Sequence, residues 1–336
     1  MSYRIGTVCH IGQFNEQKQT FEQFKDCKMG TVTRESMLKI CGISKQPELL
    51  TDELVTQHFV KLQAKLEPKV KQNLQALRSQ LSHVATYDDV MKLFRISSDL
   101  LPLYDHSILG KLYDQRLESI IDASLAVCKL IIDTYNIRVC THPDQYCVIN
   151  SDREHVRTNS YRTLYMHKRF MEKLIDSRTT SINVHLNGNL DHLPEVDQDL
   201  HSDLIPWLSF ENEDKRGKIF VAGTLQTLEV CERYNIKMLL DLHHHLCLEG
   251  DQISINEDLI RRICNTWQGE RPLMHLSQGR DSFTDKRHSD MITDTDLIAY
   301  AADFLYFADL EIEAKHKGHA VQKFVNGVTQ FTQFDD

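Results

Sequence analysis

The sequence predicts a single α/β domain, a (β/α)8 TIM barrel, and three observations support this prediction. The chain has 336 residues, which exceeds the ~250 residues of a typical barrel of this kind. Short apolar, β-branched runs alternate with amphipathic stretches, as in parallel βαβ units, and eight such runs occur. An open doubly wound sheet is the main alternative, but no G-x-G-x-x-G motif follows the first run.

Each of the eight segments has the length and apolar content of a buried strand. They are Tyr3–Cys9, Val90–Ile96, Ile137–Thr141, Ser181–Leu186, Leu208–Glu211, Lys237–Asp241, Pro272–Leu276 and Asp309–Glu313. Amphipathic periodicity between them predicts helices over Val55–Leu81, Asp114–Tyr135, Arg153–Ile175, Ala222–Tyr234 and Asn256–Trp267. The remaining length is expected to form a loop and helical insertion over residues 10–54 and a C-terminal tail over residues 318–336.

Composition excludes several classes of protein. The chain is 41% hydrophobic and 26% charged, which is typical of globular domains and not of disordered or fibrous ones. No apolar run approaches the ~20 residues of a membrane span, and the first residues lack the apolar core of a signal peptide. We therefore expect an intracellular protein that is neither secreted nor associated with a membrane. The nine cysteines include no C-x-x-C pair, which disfavours a disulfide framework or a zinc ribbon.

Charge and histidine content point in different directions. The 39 basic and 48 acidic side chains give a net charge of −9, which by itself argues against a nucleic-acid partner. The 17 histidines are an unusually large number for this length. Because neutral imidazole is the commonest metal ligand, the histidines suggest a metal site.

Candidate metal ligands occur at the ends of the predicted strands, where a TIM barrel carries its active site. At or just past seven of the eight strand ends lie His106, His142, His185, Glu211, Asp241, His275 and Glu313. His244 and His288 follow in the adjoining loops. Unpaired buried carboxylates and imidazoles each cost several kcal/mol, so a fold that collects them is expected to bind divalent cations.

The mixture of ligands indicates the class of metal and of chemistry. Imidazole and carboxylate without thiolate suit zinc, manganese or iron. Nine candidates exceed the three protein ligands of one catalytic zinc, which favours two or three ions with Glu211 as a bridging ligand. Adjacent ions suit in-line displacement at phosphorus, so the residues predict metal-dependent hydrolysis of a phosphodiester or phosphate ester. A sugar isomerase with similar ligands and a metal-binding module without catalysis remain alternatives.

Basic side chains in three predicted rim loops could allow a nucleic-acid partner despite the negative net charge. They are Lys215, Arg216 and Lys218 after the fifth strand, Arg280, Lys286 and Arg287 after the seventh, and Lys315 and Lys317 after the eighth. Together with bound cations, they could make this face positive and attract phosphates.

Six segments, in order along the chain, resemble motifs of UV damage endonucleases of the UvdE type. They are Phe94–Ser98 with Pro102, Thr141–Tyr146, Leu208–Asp214, Asp241–His244, His275–Gln278 with His288–Asp290, and Ile312–Lys315. The resemblance extends from Tyr3 to about Lys317.

The resemblance implies a TIM barrel related to endonuclease IV. It also implies incision of damaged double-stranded DNA immediately 5′ to pyrimidine dimers and (6-4) photoproducts, leaving a 3′-hydroxyl and a 5′-phosphate. The implied cofactors are two or three divalent ions, with Mn²⁺ preferred and Zn²⁺ or Mg²⁺ as alternatives, and no obligate protein partner is implied. An endonuclease IV-like enzyme for abasic sites is the nearest alternative.

The resemblance also assigns roles to residues. The implied metal ligands are His106, His142, His185, Glu211, Asp241, His244, His275, His288 and Glu313. Among these, Glu211, Asp241 and Glu313 would be catalytic, together with Lys315, which would neutralise the scissile phosphate. Gln145 and Tyr146 would probe the lesion, and Lys215, Arg216, Arg280 and Arg287 would contact DNA.

Two positions depart from the family pattern. Leu273 stands where family members carry a lysine, two residues before the strand-seven histidine. The early loop, Gly6–Gly12, lacks the family's aromatic residue and asparagine. Support for the metal site near His275 is therefore expected to be absent or to come from another residue.

Overall fold

The computed structural model describes residues 3–186, 188–193, 201–214 and 222–331, and it confirms the TIM barrel. Within these ranges, eight parallel strands close into a barrel in the order β1-β10-β9-β8-β7-β6-β5-β4. The barrel strands are β1 (Ile5–Val8), β4 (Leu93–Ile96), β5 (Arg138–Thr141), β6 (Ile182–His185), β7 (Leu208–Glu211), β8 (Lys237–Asp241), β9 (Leu273–Leu276) and β10 (Asp309–Ile312). Each lies inside one of the segments that the sequence predicts.

The five predicted helices also form, with somewhat different ends. They are α2 (Asp52–Ala85), α3 (Gln115–Tyr135), α4 (Glu154–Met171), α5 (Thr224–Tyr234) and α7 (Asp258–Thr266). Side-chain caps fix two of the starts: Thr51 accepts a hydrogen bond from the Leu54 amide, and Asp114 accepts one from the Leu117 amide. At the other end of α3, Asn136 adopts a left-handed conformation with φ of 52°, which stops the helix just before β5.

Residues 10–54 contain a β-hairpin and a short helix. β2 (Gly12–Asn15) pairs antiparallel with β3 (Thr20–Gln23), and α1 (Arg34–Ile40) follows. The buried Asn73 on α2 attaches this segment to the barrel, because its side chain accepts from the Gly30 amide at 2.9 Å and donates to the Asp99 carbonyl at 2.6 Å. The sequence analysis did not identify the hairpin.

The expected tail over residues 318–336 is corrected in part, because Lys317–Val328 forms a helix, α9. Its buried residues are Ala320, Val321, Phe324, Val325 and Val328. This spacing of one, three and four residues places them on one face of α9. The helix packs against β1. Two further helices, which the sequence pattern does not predict, are α6 (Leu242–Glu249) and α8 (Thr295–Phe304).

Part of the barrel interior below the strand ends is apolar. Leu93, Cys140, Leu239, Trp267 and Leu273 form a buried cluster. Leu273, which departs from the family pattern, is therefore part of this apolar cluster. In the described ranges, no helix is long and apolar enough to span a bilayer.

Candidate metal centre

Glu211, at the end of β7, is the centre of a cluster of imidazoles. Its side chain is 1% exposed. Its Oε1 lies 3.2 Å from His275 Nδ1 and 3.4 Å from His244 Nδ1, whereas its Oε2 lies 3.3 Å from His142 Nε2 and 3.8 Å from His185 Nε2. These histidines come from β9, α6, the end of β5 and β6. The structure therefore brings together side chains that the sequence places at separate strand ends.

Asp241 and Glu313 contribute two further carboxylates to the cluster. Asp241 Oδ2 lies 3.8 Å from His244 Nε2 and 4.0 Å from His275 Nδ1. This buried oxygen accepts no hydrogen bond within the described part of the chain. The two oxygens of Glu313 lie 3.6 Å from His275 Nδ1 and 3.6 Å from His288 Nδ1, respectively.

The donor atoms fit divalent cations in two overlapping groups. His142, His185 and Glu211 form one group, and Glu211, Asp241 and His275 form the other, with the donor atoms of each group within 4.8 Å of one another. The unsatisfied oxygen of Asp241 belongs to the second group. Imidazole and carboxylate donors with no thiolate suit Zn²⁺ or Mn²⁺, and Glu211 belongs to both groups.

Backbone carbonyls set the orientation of two histidine rings. The Nδ1–H of His142 donates to the Pro143 carbonyl at 2.8 Å, and the Nδ1–H of His244 donates to the Asn212 carbonyl at 2.8 Å. Each ring then keeps the lone pair of Nε2 for a ligand. Asp241 Oδ1 also accepts from the His244 amide at 2.7 Å, as the N-cap of α6. This capping bond holds Asp241 and His244 close together.

The pKa values of these groups reflect an excess of negative charge. Burial alone would lower the pKa of His244, but Asp241 and Glu211 raise it to about 9. Burial also opposes protonation of His275, yet Glu211 raises the pKa of His275 well above its usual value. Burial likewise disfavours ionised Glu211, but His185 and His275 hold the pKa of Glu211 well below its usual value. The carboxylates thus attract positive charge, which bound cations would supply in place of protons.

Arg95 and Glu311 belong to the centre, although the sequence analysis did not select them. Arg95 Nη2 lies 2.5 Å from Glu313 Oε1 and 2.9 Å from His275 Nε2, and its Nε pairs with Glu311. Both residues are buried. They lie inside β4 and β10 rather than at the strand ends. A charged residue between apolar residues of a predicted strand is the sequence feature that could have identified Arg95 and Glu311.

His106 lies outside the centre, contrary to the expectation that it binds a metal. Its Nδ1 accepts from the amides of Ile108 and Leu109, each at 3.2 Å. Its ring borders a different cavity, together with Tyr104 and Arg162. The segment between β4 and α3 folds into two short 3-10 turns, which position His106 away from the cluster.

The basic residues that were expected to contact DNA differ in their surroundings. Arg287 pairs with Asp281 at 2.5 Å and with Asp285 at 2.8 Å. Lys315 lies 3.6 Å from Asp290 and is not among the residues that line the cavity above the metal centre. This arrangement does not place Lys315 at a scissile phosphate. Arg280 is exposed, and the predicted residues Lys215, Arg216 and Lys218 lie outside the described ranges.

A cavity of about 750 Å³ opens above the metal centre. Gln145 and Tyr146 line it on the loop after β5, and Lys286 and His288 line it on the loop after β9. The Tyr146 side chain is 79% exposed, and Lys286 donates to the Asp214 carbonyl. An exposed aromatic ring and a basic side chain therefore line a cavity that has the candidate metal ligands at its base.

His167, which lies close to His142 of the candidate metal centre, is expected to make the stability of the protein depend on pH. It is fully buried, its Nδ1–H donates to the Thr141 hydroxyl at 2.7 Å, and burial lowers its pKa to about 3. Below about pH 6.5 the unfolded chain protonates this histidine but the folded protein does not, so the free energy of unfolding falls as pH decreases towards 3. Urea unfolding should show a slope in wild type that exceeds that of His167→Asn by about 1.4 kcal/mol per pH unit between about pH 6 and 4. The exposed His155→Asn should retain the wild-type slope, and equal slopes in wild type and His167→Asn would contradict the prediction.

Comparisons with known proteins identify the family of this chain. The family model described as UV-endonuclease UvdE matches residues 3–336. A UV DNA damage endonuclease from Nostoc sp. is 30% identical over 258 residues, which cover 74% of this chain and 75% of that protein. A UV DNA damage endonuclease from Deinococcus radiodurans is 29% identical over 279 residues, which cover 77% and 83%, respectively.

Two solved structures share the fold. The crystal structure of SacUVDE matches with a TM-score of 0.70 at 22% identity, covering 99% of this chain and 100% of that one. Endonuclease IV from Thermus thermophilus matches with a TM-score of 0.56 at 12% identity, covering 76% and 93%. Because the family model spans nearly the whole sequence, the chain belongs to the UV-endonuclease UvdE family and is an endonuclease.

Proposed function

We propose that this endonuclease nicks damaged duplex DNA at the phosphodiester immediately 5′ to UV photoproducts, with two or three divalent cations as cofactors. The observation that carries the proposal is the convergence on Glu211 of histidines from separate strands and loops. The substrate is inferred from the family and from its relatives, which are UV DNA damage endonucleases. The products would be a 3′-hydroxyl and a 5′-phosphate.

The residues proposed to hold the cations are those of the cluster, without His106. They are His142, His185, Glu211, Asp241, His244, His275, His288 and Glu313. When bound, the cations supply Lewis acidity, which stabilises the negative charge that develops on the phosphoryl oxygens. We favour Mn²⁺, which the family resemblance implies and which imidazole and carboxylate donors accept, and Zn²⁺ and Mg²⁺ are the alternatives.

Gln145 and Tyr146 are proposed to recognise the lesion. A photoproduct weakens base stacking, so bending and extrusion of nucleotides cost less than in intact DNA. The exposed ring of Tyr146 can stack in the resulting gap, and the amide of Gln145 can both donate and accept hydrogen bonds. Lys286 and Arg280 on the opposite loop would contact phosphates on the same face.

The deciding experiment uses a duplex that carries one defined thymine dimer. Incubation with Mn²⁺ should give a single cut directly 5′ to the dimer, mapped at single-nucleotide resolution. A chelator should abolish the cut and added Mn²⁺ should restore it, because the ligand cluster is the catalytic centre. An undamaged duplex is the control and should stay intact. Faster cutting of an abasic duplex would favour the endonuclease IV-like alternative, and incision that persists in chelator would exclude the proposed metal dependence.

A further inference from the structure

The loop after β9 forms a short ribbon that rises from the rim of the barrel. Gly279 makes an antiparallel bridge with His288. On either side of it, the Arg280 amide donates to the Arg287 carbonyl at 2.8 Å, and the Ser289 amide donates to the Gln278 carbonyl at 2.8 Å. The ribbon therefore carries a proposed metal ligand, His288, at its base.

Several contacts fix the tip of this ribbon. The Asp285 carboxylate accepts from the Asp281 amide at 3.1 Å and from the Arg287 amide at 3.0 Å. The His243 ring donates from Nε2 to the Asp285 carbonyl at 3.0 Å. A Cβ atom at Gly279 would collide with the Ser282 carbonyl oxygen, so the tip turns back closely over its own base. These contacts make the tip a rigid element.

Phe283 lies at this tip with half of its side chain exposed. Single exposed apolar residues are common on protein surfaces, so exposure alone does not indicate a function for Phe283. Its position in the fold is the relevant observation. Among the exposed aromatic residues of the described ranges, Tyr146 and Phe283 lie on loops that follow the carboxyl ends of barrel strands. Tyr135 and Tyr306 precede strands and so lie at the opposite mouth of the barrel.

The loops of Tyr146 and Phe283 lie on opposite sides of the metal centre. They follow β5 and β9, and these strands are separated by β6, β7 and β8 in the closed barrel of eight strands. Strands four places apart in such a barrel face each other across its axis. A duplex that passes over the centre from the loop of Tyr146 will therefore meet the loop of Phe283 on the far side.

Basic and acidic side chains are balanced around Phe283, with three of each between residues 280 and 290. Arg280 and Lys286 lie three residues to either side of it. The nearby carboxylates of Asp281 and Asp285 are paired with Arg287, so they oppose the approach of an anion less strongly. Lys286 donates to the Asp214 carbonyl, whereas Arg280 is exposed, so Arg280 is the cation that could hold a phosphate while the Phe283 ring contacts a base.

We propose that Phe283 is a second DNA-contacting aromatic residue, which packs against bases of the duplex on the side of the metal centre opposite Tyr146. This inference depends on the proposed function, since it requires that DNA crosses the cavity. Phe283 would act in substrate binding and not in the chemical step, because it lies at the exposed tip and is not among the residues that line the metal cavity.

Site-specific photo-crosslinking tests the contact directly. Replacing Phe283 with p-benzoylphenylalanine should give a light-dependent crosslink to a thymine-dimer duplex in chelator, where incision is blocked. The same replacement at Tyr306, which is 51% exposed compared with 50% for Phe283, should give none. Absence of a crosslink at position 283 while the duplex is bound would overturn the proposal.

Kinetics separate a binding role from a structural one. Phe283→Ala should raise KM for the damaged duplex about tenfold, as expected for loss of one base–aromatic contact, with kcat within about twofold of wild type. Phe283→Trp should restore KM, and Tyr306→Ala should match wild type. An unchanged KM in Phe283→Ala would refute the contact while the proposed function stands. A wild-type protein that neither binds nor incises the damaged duplex would refute both.

Discussion

Glu211→Gln is expected to reduce incision of a thymine-dimer duplex by about a thousandfold or more. The side chain is buried among His142, His185, His244 and His275, and it belongs to both groups of candidate metal ligands. A neutral amide of the same shape removes the charge that both ions would share. Glutamine is preferred to alanine, which would leave a cavity among buried imidazoles.

The experiment measures three quantities for Glu211→Gln. Bound metal, determined by elemental analysis after dialysis, should fall with the incision rate. Affinity for the damaged duplex, measured by fluorescence anisotropy in chelator, should stay within a few-fold of wild type, because Gln145 and Tyr146 are unchanged. The control is Glu232→Gln, which alters a surface ion pair with Arg262 and should behave as wild type. Nicking at the wild-type rate would remove Glu211 from the mechanism.

The sequence predicts from one geometric rule that several of these side chains lie together. Parallel strands in a barrel end at a common rim, so Glu211, Asp241 and His275 could be assigned to one location without coordinates. The rule does not extend into the loops. His106 follows β4 by ten residues, and the turns between them, which the sequence pattern did not reveal, determine its position.

The secondary-structure elements that the sequence does not predict lack a clear hydrophobic periodicity or have a composition that is untypical of the element. The β2–β3 hairpin has four-residue strands with mostly polar side chains, so alternation could not identify it. The helix α6 contains a run of three histidines near its start, and this composition does not indicate a helix. Phe283 was not selected because its importance depends on the barrel order that places β9 opposite β5.

Arg95→Met is expected to lower the free energy of unfolding by about 3–5 kcal/mol, because it leaves a buried carboxylate without its partner. Glu311 is fully buried and pairs with Arg95, which also contacts Glu313 and the His275 ring. Although burial alone would lower the pKa of Arg95, Glu311 and Glu313 raise it well above its usual value. Urea unfolding in chelator measures this loss without a contribution from bound metal.

Removing the second charge separates electrostatics from packing. In the double variant Arg95→Met with Glu311→Gln, no unpaired carboxylate remains at position 311, so most of the lost stability should return. Arg262→Met, which removes the exposed partner of Glu232, should cost less than about 1 kcal/mol. A double variant as unstable as Arg95→Met would show that Arg95 stabilises the fold by filling space. If stability returns while the metal content of the dialysed double variant stays low, Arg95 also positions Glu313 and His275 for the metal ions. The basic side chain that supports the site near His275 would then be Arg95 of β4, in place of the lysine that family members carry at the position of Leu273.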